Sequence, residues 1–436
     1  MGRNNLQPDG KSVMKTSPAS ASRLGVAIIA RNCAAALHDT LQTVRHWAKE
    51  IVVLDTGSTD TTPEAAALGG ARVVRHLWDD SFAAARNALL PHLTSPWVLW
   101  LDAGETLLPE DAELLQQFVE QCADDSHAYF LRIATPPATG QIGGEQIARL
   151  RLHPNRPGLI FHGRVRESLQ RSLTAFNLEV EHLPLTIHRS ALEHHEAVKS
   201  ERARRNIRLA DMQIAQRGPT ADMLNCLGEA CQALHNHEQA IQHYRRAQEI
   251  APAHSPEMLE SYYGLLTCLN QAGKADEQMD LCLAALEQFS LDAQLLAALG
   301  GYLQGTGRLE LAIRSFALAA EHGQVNAQLW HLPDIREIAA SCQVQLLQQN
   351  GQLEAASLAL EQTLARYPQS SRLLPLRAKL RTTQQVAIAE PETLRAITEQ
   401  ARPESSHTRI DESQSTSPLR KMAAAALSKR NAVQKQ

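Results

Sequence analysis

Apolar positions along this chain change their rhythm near residue 190. From Leu24 to about Arg189, short apolar runs alternate with amphipathic stretches. Gly25–Ala30 (GVAIIA), Ile51–Asp55 (IVVLD), Ala71–Arg75 (ARVVR) and Trp97–Asp102 (WVLWLD) read as strands dominated by Val and Ile. The segments between them, near Ala34–Trp47, Thr61–Leu68 and Phe82–Leu93, have helical spacing. Near-continuous apolar strands alternating with helices predict βαβ units and a parallel sheet covered on both faces. A helix over Ala112–Cys122 then precedes three further strand-like segments, Tyr129–Ala134, Ile147–His153 and Val180–His188. These predict a mixed edge region broken by Gly- and Pro-rich loops.

Beyond Ala191 the period is helical throughout. A long polar segment, Leu192–Gln216, carries Arg202, Arg204, Arg205 and Arg208, expected to be a solvated helix face, with a phosphate-rich acceptor as the sharper reading. Four turns then repeat one logic, opening at His235, Gly273, Gly307 and Gly351. Five residues past each opener stands Ala240, Gln278, Ala312 or Ala356, spaced by 38, 34 and 44 residues. Four further on comes a bulkier residue: Tyr244, Cys282, Phe316 or Leu360. Glycine at the turn supplies left-handed backbone, and the small residue lets two helices approach closely. The pattern resembles tetratricopeptide repeats, with Gln278 departing from the small-residue rule. The expected boundaries are a disordered leader at 1–22, an α/β domain at 23–190, a connecting helix at 191–219, repeats at 220–381 and a mostly disordered tail at 382–436.

Composition narrows the class. The 436 residues include 43 Lys plus Arg against 47 Asp plus Glu, a formal net charge of −4, which argues against a dedicated nucleic-acid binder. Seven cysteines without CxxC pairs or regular spacing read as reduced thiols in cores, which points to the cytoplasm. No stretch reaches the roughly 18 apolar residues of a membrane span. The last stretch, Arg420–Gln436, holds five basic residues and no acidic one; it reads as a solvated tail, with a peripheral place at the inner membrane face as the alternative.

In an open α/β sheet, ligands bind outside the carboxyl ends of the strands, so the residues after each strand carry the chemistry. The first strand is followed by Arg31-Asn32. The second gives Asp55-Thr-Gly-Ser-Thr-Asp60, a carboxylate and then a Gly/Ser/Thr loop feeding a helix that Ser58 or Thr59 could cap. The fourth gives Asp102-Ala-Gly-Glu105. Together they suit a nucleotide, whose base, ribose and diphosphate each need a partner.

At these residues the chain resembles the family 2 glycosyltransferases, which use nucleotide sugars and invert configuration. The likeness rests on several motifs in order: LGVAIIARN from Leu24, EIVVLDTGSTD from Glu50, WDDSFAAARN from Trp78 and WLDAGE from Trp100. His188 and Arg205-Asn206 are similar to features of the subgroup that continues into tetratricopeptide repeats. The resemblance implies a GT-A, Rossmann-like nucleotide-binding sheet followed by an all-α repeat domain. It implies a nucleoside-diphosphate sugar donor, with UDP-linked sugars the leading choice, held by Asn32, Asp55, Ser58, Arg86, Asn87 and Asp102. It also implies a divalent cation, Mg²⁺ or Mn²⁺, at Asp102 and Glu105.

Two departures stand out. The second acid of the family's Asp-x-Asp is Gly104, which has no ligand atom; Glu105 stands one position along. The family's His-Glu segment reads Arg166-Glu167 here, leaving Glu167 as the expected catalytic base, with Arg166 placed to pair with it. The expectation is therefore a glycosyltransferase whose repeats bind a protein or glycan acceptor or a protein partner. The rival is a transferase-like domain without turnover that serves a repeat scaffold.

Overall fold

The computed structural model describes residues 23–122, 125–138, 143–191 and 195–382. The expected leader at 1–22 and all of the expected tail except Thr382 lie outside them, as does His194.

The sheet strands are β1 (Leu24–Ala30), β2 (Glu50–Asp55), β3 (Arg72–Arg75), β4 (Trp97–Asp102), β5 (Glu105–Leu107), β6 (His127–Thr135), β7 (Glu145–Pro154) and β8 (Glu179–Arg189). They form one eight-stranded mixed sheet in the order β3-β2-β1-β4-β7-β6-β8-β5. β3, β2, β1 and β4 run parallel, and β7 joins β4 antiparallel. Alternate residues feed two cores, as the pleat demands. Val26 and Ile28 face helices α1 (Ala34–Val44) and α4 (Pro109–Gln121) through Leu37, Leu41 and Leu115. Ala27, Val52 and Trp100 face α3 (Phe82–Leu89) and α5 (Gln170–Ala175) through Ala85, Leu89 and Leu173. The loop after β2 leads into α2 (Thr62–Leu68). The three-residue β5 and the six-residue α5 are too short to leave a periodic signal and were not anticipated.

Helix α6 (Glu196–Arg217) leads into four antiparallel helix pairs: α7 (Ala221–Ala233) with α8 (His237–Ile250), α9 (Pro256–Gln271) with α10 (Ala275–Gln288), α11 (Ala293–Gly305) with α12 (Leu309–His322), and α13 (Ile335–Gln349) with α14 (Leu353–Arg366). All four expected turn openers have positive φ: His235 at 58°, Gly273 at 69°, Gly307 at 76° and Gly351 at 75°. Ala240, Ala312 and Ala356 are fully buried between helices. Gln278 is buried too, and its amide donates to the Leu266 carbonyl at 3.2 Å, so the larger side chain is accommodated with its polarity satisfied. Tyr244 lies so close to Gly228 and Gly264 that a Cβ there would fall 2.7 and 2.2 Å from its ring.

The longest spacing between repeats has a structural cause. The segment between α12 and α13 leaves the helical stack and lies along β7: Gln146 and His331 exchange backbone hydrogen bonds at 2.8 and 3.0 Å. The Ala148 N–H adds a bond to the Ala327 carbonyl at 2.6 Å. Trp330 packs on the α1-side core. The arginines of α6 are not simply a solvated face. Arg205 lies 4.8 Å from the Phe82 ring centroid, and Arg208 pairs with Asp80, so both turn back onto the sheet domain.

All seven cysteines are free thiols, four of them buried. Among the described residues no helix is long and apolar enough to cross a membrane.

Candidate functional site

The parallel register fixes where the strand tips stand. Ala30 of β1 pairs with Asp55 of β2, and Ile29 pairs with Asp102 of β4. Asp55 and Asp102 therefore share one carboxyl-terminal edge, on either side of β1 and roughly 10 Å apart at two strand spacings. By strand alternation Asp55 belongs to the α1 side and Asp102 to the α3 side, so the edge is flanked by one acid on each face.

On the β2 side the two loops are sewn together. Asp55 is buried and accepts the Ser58 N–H at 3.1 Å. The Ser58 hydroxyl accepts the Asn32 N–H at 3.0 Å, and Asn32 Oδ1 accepts the Thr59 N–H at 2.8 Å. Asn32 does this with a positive φ of 50°. Neither Ser58 nor Thr59 caps α2. The cap position is Thr61, and Asp60 just before it accepts at Oδ1 from the Thr62 N–H at 3.0 Å and the Thr62 hydroxyl at 2.6 Å.

On the β4 side the site is a knot of arginines and acids. Gly104, with φ +94°, turns the chain so that Glu105 reaches back and its Oε2 accepts the Asp102 N–H at 2.9 Å. Arg151, on β7 and only 6% exposed, forks onto Asp102 through Nη1–Oδ1 at 3.3 Å and Nη2–Oδ2 at 2.8 Å. Its Nη2 also reaches Glu105 Oε1 at 2.8 Å, which Arg189 Nε shares at 3.1 Å. Arg86, projected by α3, lies 3.7 Å from Asp102 and donates from Nε to Glu167 Oε1 at 2.7 Å. The Arg86 guanidinium rests 4.6 Å from the Trp100 ring centroid and 5.3 Å from that of Phe161.

These neighbours set the charges. Burial opposes ionisation of Asp102, yet Arg151, with Arg86 and Arg189, holds its carboxyl well below the usual range. Burial pushes the Glu105 carboxyl up against the pull of Arg151. Burial and the neighbouring charge of Arg202 lower Arg205 from the ordinary arginine value, partly offset by Glu167 and Asp102. Behind the knot, His153 accepts the Trp100 indole N–H at 2.9 Å and donates to the Pro154 carbonyl at 2.9 Å. That environment keeps the ring neutral, its pKa lowered to about 4 by burial.

Two expectations are corrected. Arg166 does not pair with Glu167. With φ +49° it turns away, and its guanidinium meets Asp222, Glu229 and Glu260 of the repeats at 2.9, 2.7 and 2.7 Å. Asn87 points at no shared edge; its amide closes both backbone bonds of Phe161, at 2.9 and 2.7 Å, and so steadies the loop that presents Glu167. The sequence reading missed Arg151 and Arg189. The signal was there in Arg151, a charge flanked by Leu150 and Leu152 near the buried end of its strand.

The expected divalent cation does not fit this donor set. Both oxygens of Asp102 and Oε1 of Glu105 are taken by guanidinium N–H groups, and Oε2 is taken by a backbone amide. Among the described residues no group of three or more His, Cys, Asp or Glu side chains could hold a metal.

An α/β sheet with acids on its carboxyl-terminal edge is thus joined to a stack of helix pairs. Comparison with known proteins makes the class specific. Residues 25–162 match the family model of glycosyl transferase family 2, and residues 219–277 match a tetratricopeptide repeat model. The chain thus carries a family 2 glycosyltransferase domain followed by tetratricopeptide repeats. A TPR repeat-containing protein of Synechococcus elongatus is 32% identical over 157 residues, covering 36% of this chain and 38% of that protein. The SPbeta prophage-derived glycosyltransferase SunS of Bacillus subtilis is 24% identical over 232 residues, covering 50% and 52%. The chain therefore spans about half or less of the length of these curated relatives. Among solved structures, MamA aligns with a TM-score of 0.30 at 15% identity, over 39% of this chain and 94% of MamA, a score too low to carry an argument.

Proposed function

We propose that this chain is a glycosyltransferase that moves a sugar from a nucleoside diphosphate, UDP first among candidates, to an acceptor with inversion at the anomeric carbon. The observation that carries this reading is the shared strand edge of Asp55 and Asp102, with Arg86 and Glu167 gathered beside Asp102. In this reading the base of the nucleotide lies at Asp55, which has lone pairs beyond the bond from Ser58, while Asn32 and Ser58 hold the loop in shape. The ribose lies toward Asp102 and the diphosphate toward the arginines.

Chemistry then runs as a single displacement. The acceptor's nucleophilic atom donates a lone pair to the anomeric carbon while that carbon's bond to the β-phosphate oxygen breaks. The bonding pair leaves with the nucleoside diphosphate, and the acceptor's proton passes to Glu167. Charge appearing on the leaving diphosphate is stabilised by preorganised donors in a partly dehydrated cleft. The repeats would supply an extended surface for a protein or glycan acceptor or for a protein partner.

A donor screen tests this. Purified full chain is offered UDP-, GDP- and ADP-linked sugars, and released diphosphate is measured. One donor class should be turned over, and Asp102→Ala should reduce that rate about 100-fold or more, the scale of losing a main electrostatic contact. Release from no donor, together with no nucleotide binding, would favour the scaffold reading, in which the paired carboxylates are purely structural.

A further inference from the structure

A divalent cation at an acidic strand tip does two things: it neutralises the protein's carboxylates and draws charge from the departing phosphate. Here both tasks already have owners. Arg151 occupies the space between Asp102 and Glu105, bonding to both, and it is buried. A cation entering there would have to displace that guanidinium and sit between two others, Arg86 and Arg189. The remaining guanidiniums are placed on the flanks. Arg86 lies over Trp100 and Phe161, and Arg189 lies 5.6 Å from the Trp330 ring centroid on the segment that the repeats lend to β7. The three guanidiniums of Arg86, Arg151 and Arg189 meet the three carboxylates of Asp102, Glu105 and Glu167, so the knot is balanced without any cation. The buried Nε of Arg151 also has no hydrogen-bond partner, an unspent donor in the same knot.

We infer that this domain works without a divalent cation: Arg151 is the permanent countercharge of Asp102 and Glu105, and Arg86 and Arg189 bind the diphosphate of the donor. The proposal rests on the donor reading given above. Guanidinium is suited to the task because its planar fork matches phosphate oxygens and its charge does not depend on pH in any working range. Gly104 then follows as part of the same design. An acid at that position would add a fourth carboxylate to a cleft whose positive charge is already matched.

The test is thermal unfolding of the full chain with UDP, GDP or ADP, in EDTA and in MnCl₂. One nucleoside diphosphate should raise the Tm by on the order of 5 °C at about 100 times its Kd. The shift should be the same in EDTA as in manganese. Arg189→Gln should remove most of it, while the unliganded Tm falls less, because Arg189 is an outer member of the knot. A shift that appears only with manganese would overturn the inference and leave the donor reading standing. So would a shift in EDTA that Arg189→Gln leaves intact. Absence of any nucleotide shift in either condition would remove the donor reading itself, and the inference with it. Titration of Mn²⁺ alone gives a readout that needs no donor: stoichiometric binding abolished by Asp102→Asn would sink the proposal, and a silent titration supports it.

Discussion

Two arginines of this chain are each tied to several carboxylates, and they serve different ends. Arg151 is held by Asp102 and Glu105 of its own domain, and Asp102 stays half open to the cleft, with its side chain 47% exposed. Arg166 is held by Asp222, Glu229 and Glu260, all from the repeats. The first knot lies at the carboxyl-terminal edge of the sheet. The second is a clasp between the sheet domain and the first two helix pairs, fastened one residue away from Glu167. A buried charge is costly wherever it sits, so its partners reveal what the fold is holding in place. In one knot that is the edge where Asp55 and Asp102 stand; in the other it is the repeats against the sheet domain.

The contrast can be broken by mutation, the most damaging first. Arg151→Met removes the guanidinium that buried Glu105 shares with Asp102, leaving it Arg189 and a backbone amide, and should cost about 3 kcal/mol in urea unfolding of the sheet domain. A loss below about 1 kcal/mol would mean that the knot is not the buried, interlocked unit described here. Acid should weaken the same domain through His153. Its folded pKa is about 4 against an ordinary 6.5. Its contribution is therefore complete above pH 6.5 and lost as pH falls toward 4, up to about 3 kcal/mol in all. His153→Gln should flatten the stability profile across that window, whatever it does to stability at neutral pH.

The clasp should prove milder. Arg166→Met is expected to cost about 2 kcal/mol, because Asp222 and Glu229 keep 41% and 55% of their side chains exposed and can regain water. It should also separate the unfolding of the repeats from that of the sheet domain, visible as a second calorimetric transition. A single unchanged transition would show that the strand-like contact of His331 with Gln146 is sufficient to couple them. Smallest is Gly264→Ala, where the added methyl meets Tyr244 in the repeat core. A loss of about 1–2 kcal/mol confined to the repeats is the expected result, with donor turnover unaffected.

Much of this architecture could be read before any coordinates. Val26, Ile28 and Ala30 against Ala27 and Ile29 announce a strand buried on both faces. The turn openers from His235 to Gly351 announce helix hairpins through backbone that only left-handed conformations close. Both signals are local, carried by residues a few positions apart. The shared edge of Asp55 and Asp102 was also legible, because parallel strands place their carboxyl ends together. What escaped was short or distant. β5 has three residues, and the excursion from the repeats to β7 looked like an ordinary insertion between hairpins.

The amino-acid order by itself determined the strands, the helices, the hairpin turns and the identity of the acids at the strand tips, because periodicity and turn chemistry act over a handful of residues. Only the tertiary structure decided which arginine neutralises which acid. Arg151 finds Asp102 across 49 positions and Arg166 finds Glu260 across 94, while the adjacent Arg166 and Glu167 turn away from each other. Charge pairing in a folded chain depends on distance in space and on burial, and neither is written in the spacing of the residues.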